Sequence, residues 1–562
     1  MKKKFYIVTL SLLALFVLLN VFIPNNLILQ ILGAIDLVAI SVFAIAKEKS
    51  LYKVLTIVIL MTMVLSYIIP GTTMNYGTVE KGTIIPVPFA DVFTNGITSL
   101  SAFLTTFIYV LFIGVFYAVI KKTNKYEALV NNTAVSFNKN KGMFIVLTIF
   151  VLGLMTMFTG EIYAMLVFVP FLISVIRKLG YDKPTSIVST IGSIFLGNAG
   201  SLYTYYSNQM LSLTVNDNVL VKVIITLVGL VSLVAFILVF GNKPEKTKDL
   251  VKSKENKMLP IIVTFIVLFV ILVLGFVNWA GFFKFNGFTE FLETLRKGTV
   301  GKVSIFNALV GQSVVAFGNW QPYHASVLFL FVALIISVIY RIKTDDIFEA
   351  AKTGLKKAFP YAVIVILANL VLVNVYSSGI FYTIVVGLTK KTITLYNTAI
   401  TSIIAAIGFP DYAYSTQFTI TGIMGTKATN YQQLFAVVFQ AVYSVFLLVS
   451  PTSILLLFGL KYTDTKYKDW IKYIYKYFIV LFITILVVIS VIMKGFDVFS
   501  IVALILLVTA LALIIYLKYT KLADEKIKEL SKEVVKKAPE VKETVKKTTT
   551  KTTNKKNTKN KK

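Results

Sequence analysis

Residues 158–171 read FTGEIYAMLVFVPF, and the fold turns on what their single carboxylate, Glu161, is doing there. No other Asp, Glu, Lys or Arg occurs between Lys141 and Arg177. The apolar segment that holds it, 142–176, has 35 residues, too many for one helical crossing of a bilayer. It can be two crossings of about 17 residues each, just enough to span. It can instead be a re-entrant hairpin whose tip stops inside the membrane, where irregular backbone needs protein or a water-filled cavity around it. Gly160 suits a turn at such a tip, and the re-entrant form is the favoured reading.

The rest of the chain supports a membrane setting. Of 562 residues, 57% are hydrophobic and only 15% charged, and the mean hydropathy is +0.81. Apolar runs of about 18–23 residues alternate with short charged clusters, the pattern of a polytopic helical membrane protein. A β-barrel would show short alternating segments. The net charge of +30 is concentrated in loops such as KPEKTKDLVKSKENK (243–257) and in the tail. Residues 521–562 alone hold fifteen Lys against six Asp and Glu, or +9. That distribution fits cytoplasmic loops under the positive-inside rule, with no nucleic-acid partner expected. It places both termini inside, in a multi-pass plasma-membrane protein. Lys390, Lys391 and Lys427 fall on the other side and run against the rule. The opening MKKKFYIVTLSLLALFVLLNVFIP reads as a first transmembrane helix, because its apolar stretch is long for a signal peptide and no small-x-small cleavage site follows. The chain has no Cys, which excludes disulfides and Cys-ligated metals.

A spacing of 250 residues recurs. It separates Lys141 from Lys391, Glu161 from Asp411, and Arg177 from Lys427. The segment 392–426 therefore repeats the first one: 35 residues with one lone acid beside a turn, here Phe409-Pro410-Asp411. The same offset carries 109–127 onto 359–377, 184–206 onto 434–456, and 219–241 onto 469–491. Crossing parity gives the two copies opposite orientations, an inverted-topology repeat of the kind found in secondary transporters. The domain plan that follows is transmembrane helices and an external loop over 1–95, a first repeat over 96–241, and connecting helices over 242–345. A second repeat over 346–491, a last transmembrane helix over 492–520 and a disordered Lys-rich tail over 521–562 complete it. Segments 122–140 and 345–358 look amphipathic and are expected along the cytoplasmic surface, and 303–319 reads as a short interfacial or re-entrant piece.

Candidate binding residues cluster where the repeats break. Glu161 and Asp411 at the hairpin tips suit a substrate, a cation or a proton, since a carboxylate in mid-membrane is costly unless used; the alternative is that each merely caps the helix after it. Each hairpin precedes an interrupted span. Gly197 and Gly200 weaken LGNAGSLYTYYSN (196–208), and Pro451 breaks LLVSPTSILLLFG (447–459). Unwound backbone there offers carbonyls to a cation and amides to an anion. Gly197, Asn198, Ser201, Thr204, Ser450, Thr452 and Ser453 are the expected ligands, with hydroxyls bonded to their own helices as the plain alternative for the Ser and Thr residues. There is no GxxxxGK[ST], HExxH or GxSxG, so neither ATP hydrolysis nor hydrolase chemistry is expected, and a gradient should drive transport.

At this point the chain resembles a known family. SYIIPG (66–71), GEIYAMLVFVPFLISVIRKLGYDKPTS (160–186), LGNAGS (196–201) and SPTSILLLFGLKYTDTKYKDWIKYI (450–474) resemble the YfcC family of basic amino acid antiporters, within the ion transporter superfamily. That family is related to four-carbon dicarboxylate carriers and AbgT-type transporters. Gly160 and Glu161 fit its G-x-x-E-E-T pattern, while Ile162 and Tyr163 replace the second acid and the Thr. Pro451, Thr452 and Ser453 keep its final P-T-S, but Gln440-Ala441-Val442-Tyr443-Ser444 lacks its Gly-Asp-Gly. The resemblance implies two inverted repeats, a homodimer and an elevator-type mechanism. The expected function is a secondary carrier of an amino acid or small organic anion, by exchange or with a coupling Na⁺ or H⁺, surrounded by membrane lipid and without a cofactor. The competing expectation is a channel or membrane scaffold that recruits partners through its basic tail.

Overall fold

A computed structural model describes residues 2–509 apart from 24–25, 76–77, 81, 246–250, 254, 256, 390–391, 425–431, 496–497, 499–500, 503, 506–507. The Lys-rich tail and the end of the last expected span lie outside the described residues. Up to Asp497 the chain forms one compact unit, and from Val498 a second. In the second, the described residues are helical up to Thr509, whose hydroxyl donates to Ile505 O at 2.7 Å.

The first unit is helical almost throughout. It opens with α1 (Lys2–Phe22), α2 (Leu27–Ile45), α3 (Leu51–Leu65), α4 (Phe89–Ala102), α5 (Leu104–Lys122) and α6 (Tyr126–Phe137). A first hairpin follows, α7 (Lys141–Thr159) and α8 (Val169–Lys178), then a broken helix, α9 (Lys183–Ile187), α10 (Ser193–Ala199) and α11 (Tyr205–Met210). Next come α12 (Val219–Ala235), α13 (Leu259–Phe276), α14 (Trp279–Phe283), α15 (Gly287–Lys297), α16 (Ile305–Leu309), α17 (Pro322–Ile339), α18 (Thr344–Ser377) and α19 (Ile380–Thr389). A second hairpin, α20 (Leu395–Gly408) and α21 (Tyr412–Met424), leads to a second broken helix, α22 (Gln432–Leu434), α23 (Gln440–Phe446) and α24 (Ile454–Tyr462), and then α25 (Tyr467–Lys494). Two antiparallel pairs, β1 (Thr73–Asn75) with β2 (Thr78–Glu80) and β3 (Thr299–Val300) with β4 (Val303–Ser304), are the strands among the described residues.

Eight of the described helices are long and apolar enough to cross a membrane. Together with the near absence of strands this makes the chain an all-α polytopic membrane protein. Its packing is that of membrane helices, which rely on small residues at close crossings because lipid offers no hydrophobic drive between them. At Gly114 an added side-chain carbon would lie 2.4 Å from Ala358 Cβ, and at Gly354 one would lie 2.6 Å from Gly114 O, so the backbones of α5 and α18 meet there.

One expectation changes. The amphipathic segment 345–358 is no separate surface helix. It is the first half of α18, whose 34 residues extend through Pro360 into the span. At 1.5 Å per residue such a helix is about 51 Å long, well beyond the hydrocarbon core, so its charged half stands outside. Segment 303–319, expected as a short interfacial or re-entrant piece, is a strand, the five-residue α16 and loop, with Leu309 and Val310 exposed.

The repeat spacing has a structural counterpart. A π-helical turn (Val188–Gly192) precedes the seven-residue α10, and another (Phe435–Phe439) precedes the seven-residue α23. Leu202 N donates to Met157 O at 2.9 Å, and Thr452 Oγ1 donates to Ile407 O at 2.8 Å; each member of the second contact lies 250 residues after its partner in the first. The breaks also pack alike against the next long helix. Gly200 sits against Lys222 O, while Trp470 Nε1 donates to Leu448 O at 2.8 Å, an offset of 248 at both ends.

Candidate functional site

The two hairpins end in turns that their sequences require. Gly160 closes α7 in the left-handed region at φ +64°, and a side-chain carbon there would lie 1.6 Å from Tyr203 O. Only glycine allows that conformation and that approach together. The first tip therefore rests on the break of the first broken helix. In the second, Phe409 and Pro410 end α20, and Asp411 immediately precedes α21.

Both acids accept a backbone amide just after them. Glu161 Oε1 accepts from Tyr163 N at 3.0 Å, and Asp411 Oδ1 accepts from Tyr414 N at 3.1 Å. Asp411 thus caps α21, whereas Glu161 holds only its own turn, because the helical segments after it begin at Leu166 and Val169 without a side-chain cap; in both cases the bond fixes where the carboxylate stands. Neither is sealed in: both are partly exposed, and both line one cavity of about 550 Å³. Residues that the sequence separates by 250 positions meet in space. Asn198 and Thr204 line the same cavity. So do Tyr163, Tyr203, Tyr412 and Tyr414, together with Thr105, Thr106, Asn278, Trp320 and Tyr323. No Lys, Arg or His occurs among its described lining residues.

The irregular backbone around the tips is satisfied by side chains from elsewhere, as buried carbonyls must be. Tyr109 and Tyr117, two turns apart on α5, donate to Tyr163 O and Val167 O, each at 2.6 Å. Tyr443 donates to Phe409 O at 2.6 Å. At the break after α10 the carbonyl of Ser201 has no helical partner and that of Asn198 keeps only Ser201 N at 3.1 Å, and both accept from Gln440 Nε2 of α23, at 2.9 and 2.8 Å. Asn198 Nδ2 in turn donates to Ser444 Oγ at 2.7 Å. The two broken helices are therefore joined at their polar centres. Sequence reasoning did not single out Gln440 as a site residue; its one signal is a lone amide within the apolar run 434–449.

These bonds leave oxygens over. Asn198 Oδ1, Gln440 Oε1 and Thr204 Oγ1 are buried without a partner. Buried orphan acceptors in a native structure call for an explanation such as water or an ion.

The other expected ligands are placed differently. Ser201 Oγ donates to Tyr203 O at 3.2 Å, beside the cavity. Ser450 Oγ donates to Ala406 O at 2.7 Å, so with Thr452 it covers the carbonyl end of α20. These hydroxyls hold the second hairpin and do not line the cavity. Ser453 Oγ is buried without a partner, also away from the cavity lining. Gly197 is a packing residue: a carbon added there would lie 2.1 Å from Gly153 O, where α10 crosses α7. Asp36 on α2 is outside the site, with one buried oxygen unpartnered.

The model of the DcuC family, the C4-dicarboxylate anaerobic carriers, matches residues 3–494. The crystal structure of the Alcanivorax borkumensis YdaH transporter, described as having an unusual topology, is similar over 79% of this chain and 98% of its own, at 14% identity and a TM-score of 0.38. That likeness is too loose to bear on the site. A search of curated proteins finds no match.

Proposed function

This chain belongs to the C4-dicarboxylate anaerobic carrier family, and on that premise we propose that it is a secondary carrier for an amino acid whose ammonium group lies between Glu161 and Asp411. Membership makes it a membrane transporter and not an enzyme; substrate and coupling rest on the site. The observation that carries the reading is the pair of carboxylates on one cavity without a described cation beside them. A bare dicarboxylate would meet two like charges there, whereas an ammonium is attracted to both. The substrate's own carboxylate finds donors in Thr105, Thr106, Asn278 and the tyrosine hydroxyls on the same wall. Exchange of one amino acid for another keeps the cavity charge constant through the cycle. Coupling to Na⁺ or H⁺ has support in the orphan oxygens of Asn198, Gln440 and Thr204.

The architecture proposed is two inverted repeats whose re-entrant tips meet at mid-membrane and move as an elevator, in a homodimer with both termini inside. The matched contacts of the two breaks support it. Family membership favours one other cargo, a four-carbon dicarboxylate that enters with cations held by the same two acids.

Purified protein in liposomes tests both readings. Labelled lysine, arginine, ornithine, succinate and fumarate are offered under imposed Na⁺, H⁺ and counter-substrate gradients. Flux of an amino acid, reduced at least tenfold in Glu161→Gln and Asp411→Asn, is the expected result; a lost charge pair at about 4 Å and an effective dielectric of about 20 corresponds to roughly 4 kcal/mol, an upper bound on the effect. Succinate flux without amino acid flux favours the dicarboxylate. Amino acid flux unchanged in both variants overturns the assignment of the acids.

A further inference from the structure

A second cavity has a different chemistry. It encloses about 370 Å³ between α5, α8, α18 and α24, and no carboxylate lines it. Its walls are apolar, with Val110, Ile113, Leu166, Val169, Ile173 and Phe458 among them. The space exists because α5 and α18 touch at Gly114, Gly354 and Ala358, where no side chain is long enough to fill it.

The rim carries charge of one sign. Lys121 of α5 and Lys357 of α18 both line the cavity, and both are exposed. Neither forms an ion pair among the described residues; the acids nearby, Asp346 and Glu349, are taken by Lys122 at 3.4 and 3.1 Å. Lys121 stands 5.3 Å over the Tyr126 ring. Tyr462, also on the wall, is held by Ser174 Oγ at 3.2 Å and Pro170 O at 3.3 Å.

An apolar chamber with two ammoniums at its mouth is complementary to a molecule with a hydrocarbon chain and an anionic head. Among the described lining residues the only hydroxyls are those of Tyr117, Tyr361 and Tyr462, and Tyr117 and Tyr462 already bond backbone carbonyls, so the walls offer a small polar solute little to pair with. We propose that this cavity binds an anionic glycerophospholipid of the surrounding bilayer, with an acyl chain among Ile113, Leu166 and Phe458 and the phosphate between Lys121 and Lys357. Basic pockets between transmembrane helices bind lipid headgroups by this pairing. The bilayer is the source because it presents such amphiphiles beside the basic ends of α5 and α18. The site is separate from the carboxylate cavity and its occupancy does not depend on what is transported.

The test uses the full chain in mild detergent, with phosphatidylglycerol or phosphatidylcholine of identical acyl chains added and retained lipid counted by native mass spectrometry. The wild type should retain phosphatidylglycerol with a roughly thirtyfold preference, the attraction of two ammoniums near a surface. Lys121→Gln/Lys357→Gln should abolish the preference, and because both side chains are exposed the fold should survive. Ala118→Leu, which fills the chamber and leaves the charges, should lower retention of both lipids. Equal retention of the two lipids by the wild type, or a preference unchanged in both variants, overturns the proposal. So does displacement of the lipid by a soluble amino acid or dicarboxylate, which would make the chamber part of the transport route, or a stronger retention of free palmitate than of phosphatidylglycerol.

Discussion

Gln440→Leu should open the junction of the two broken helices. Gln440 is 1% exposed and donates two hydrogen bonds, to Asn198 O and Ser201 O. Leucine has similar volume and no donor, so it would leave Ser201 O unpaired and Asn198 O with only the amide of Ser201, at 3.1 Å. An unpaired buried carbonyl costs about 1–3 kcal/mol, and the lost second bond to Asn198 O about 0.5–1.5 kcal/mol more. Part is offset, because Gln440 Oε1 is itself buried without a partner and its loss relieves one unsatisfied atom. A net cost of about 1–3 kcal/mol remains, spent locally on the break between α10 and α11. Amide hydrogen exchange reads this directly: protection at residues 199–204 should fall roughly five- to a hundredfold, since each 1.4 kcal/mol is a factor of ten. Ser444→Ala is the control. It removes only the acceptor for Asn198 Nδ2, at 2.7 Å, and should cost about 1–2 kcal/mol. Exchange within threefold of wild type in Gln440→Leu would refute the claim that this amide holds the break.

Other outcomes follow from the same contacts. Gly160→Ala should lose transport while still reaching the membrane, because the left-handed backbone costs about 1–2 kcal/mol and the new carbon, 1.6 Å from Tyr203 O, must push the tip from the break; flux assay beside surface expression checks it. Thr452→Val should cost about 1 kcal/mol, read as a lower thermal midpoint, through loss of the bond to Ile407 O at 2.8 Å. Asp217, in the loop before α12, accepts from Thr214 N and Thr214 Oγ1, and these bonds hold its carboxyl below the usual aspartate range. Its stabilisation is therefore fully present above the unfolded value of about 3.9 and is lost as pH falls through the lower folded value. Asp217→Asn should accordingly narrow the gap between the thermal midpoints at pH 5 and pH 3.

Much of the fold could be read from hydropathy and from one number. The lone acids and their shared offset located both hairpins, and Gly200 and Pro451 located both breaks. What escaped was the partner of each freed carbonyl. A break announces itself locally, through Gly or Pro, but the donor that repairs it can come from any element. Gln440 lies 242 residues from Asn198, and Tyr109 lies 54 from Tyr163, with no local pattern to connect them. For the same reason Ser450 and Thr452 looked like ligands: a hydroxyl beside a break serves a cargo and a helix end equally well on paper, and here the end of α20 takes it. Gly197 looked like a weak point in a helix and is a point of contact, since the crossing with Gly153 leaves no room for a methyl group. The charged half of α18 looked like a surface helix because its periodicity is amphipathic; nothing in that pattern marks where a helix continues beyond the bilayer.

The roles of cap and ligand, opposed on sequence grounds, are compatible in the folded chain. A carboxylate has two oxygens, and a cap engages one. At Glu161 and Asp411 the engaged oxygen accepts the amide two or three residues on, so the group is oriented before any cargo arrives. A site held within a narrow range by its own backbone loses less freedom on binding than one on a free side chain. This is also why Glu161→Gln and Asp411→Asn are informative substitutions. An amide oxygen accepts as a carboxylate oxygen does, so each backbone bond is kept and each turn stands, while the charge facing the cavity is gone. A loss of flux in those variants with an unchanged thermal midpoint therefore reports the charge. A fall in stability of more than about 1 kcal/mol would show instead that the acids act chiefly as structural caps.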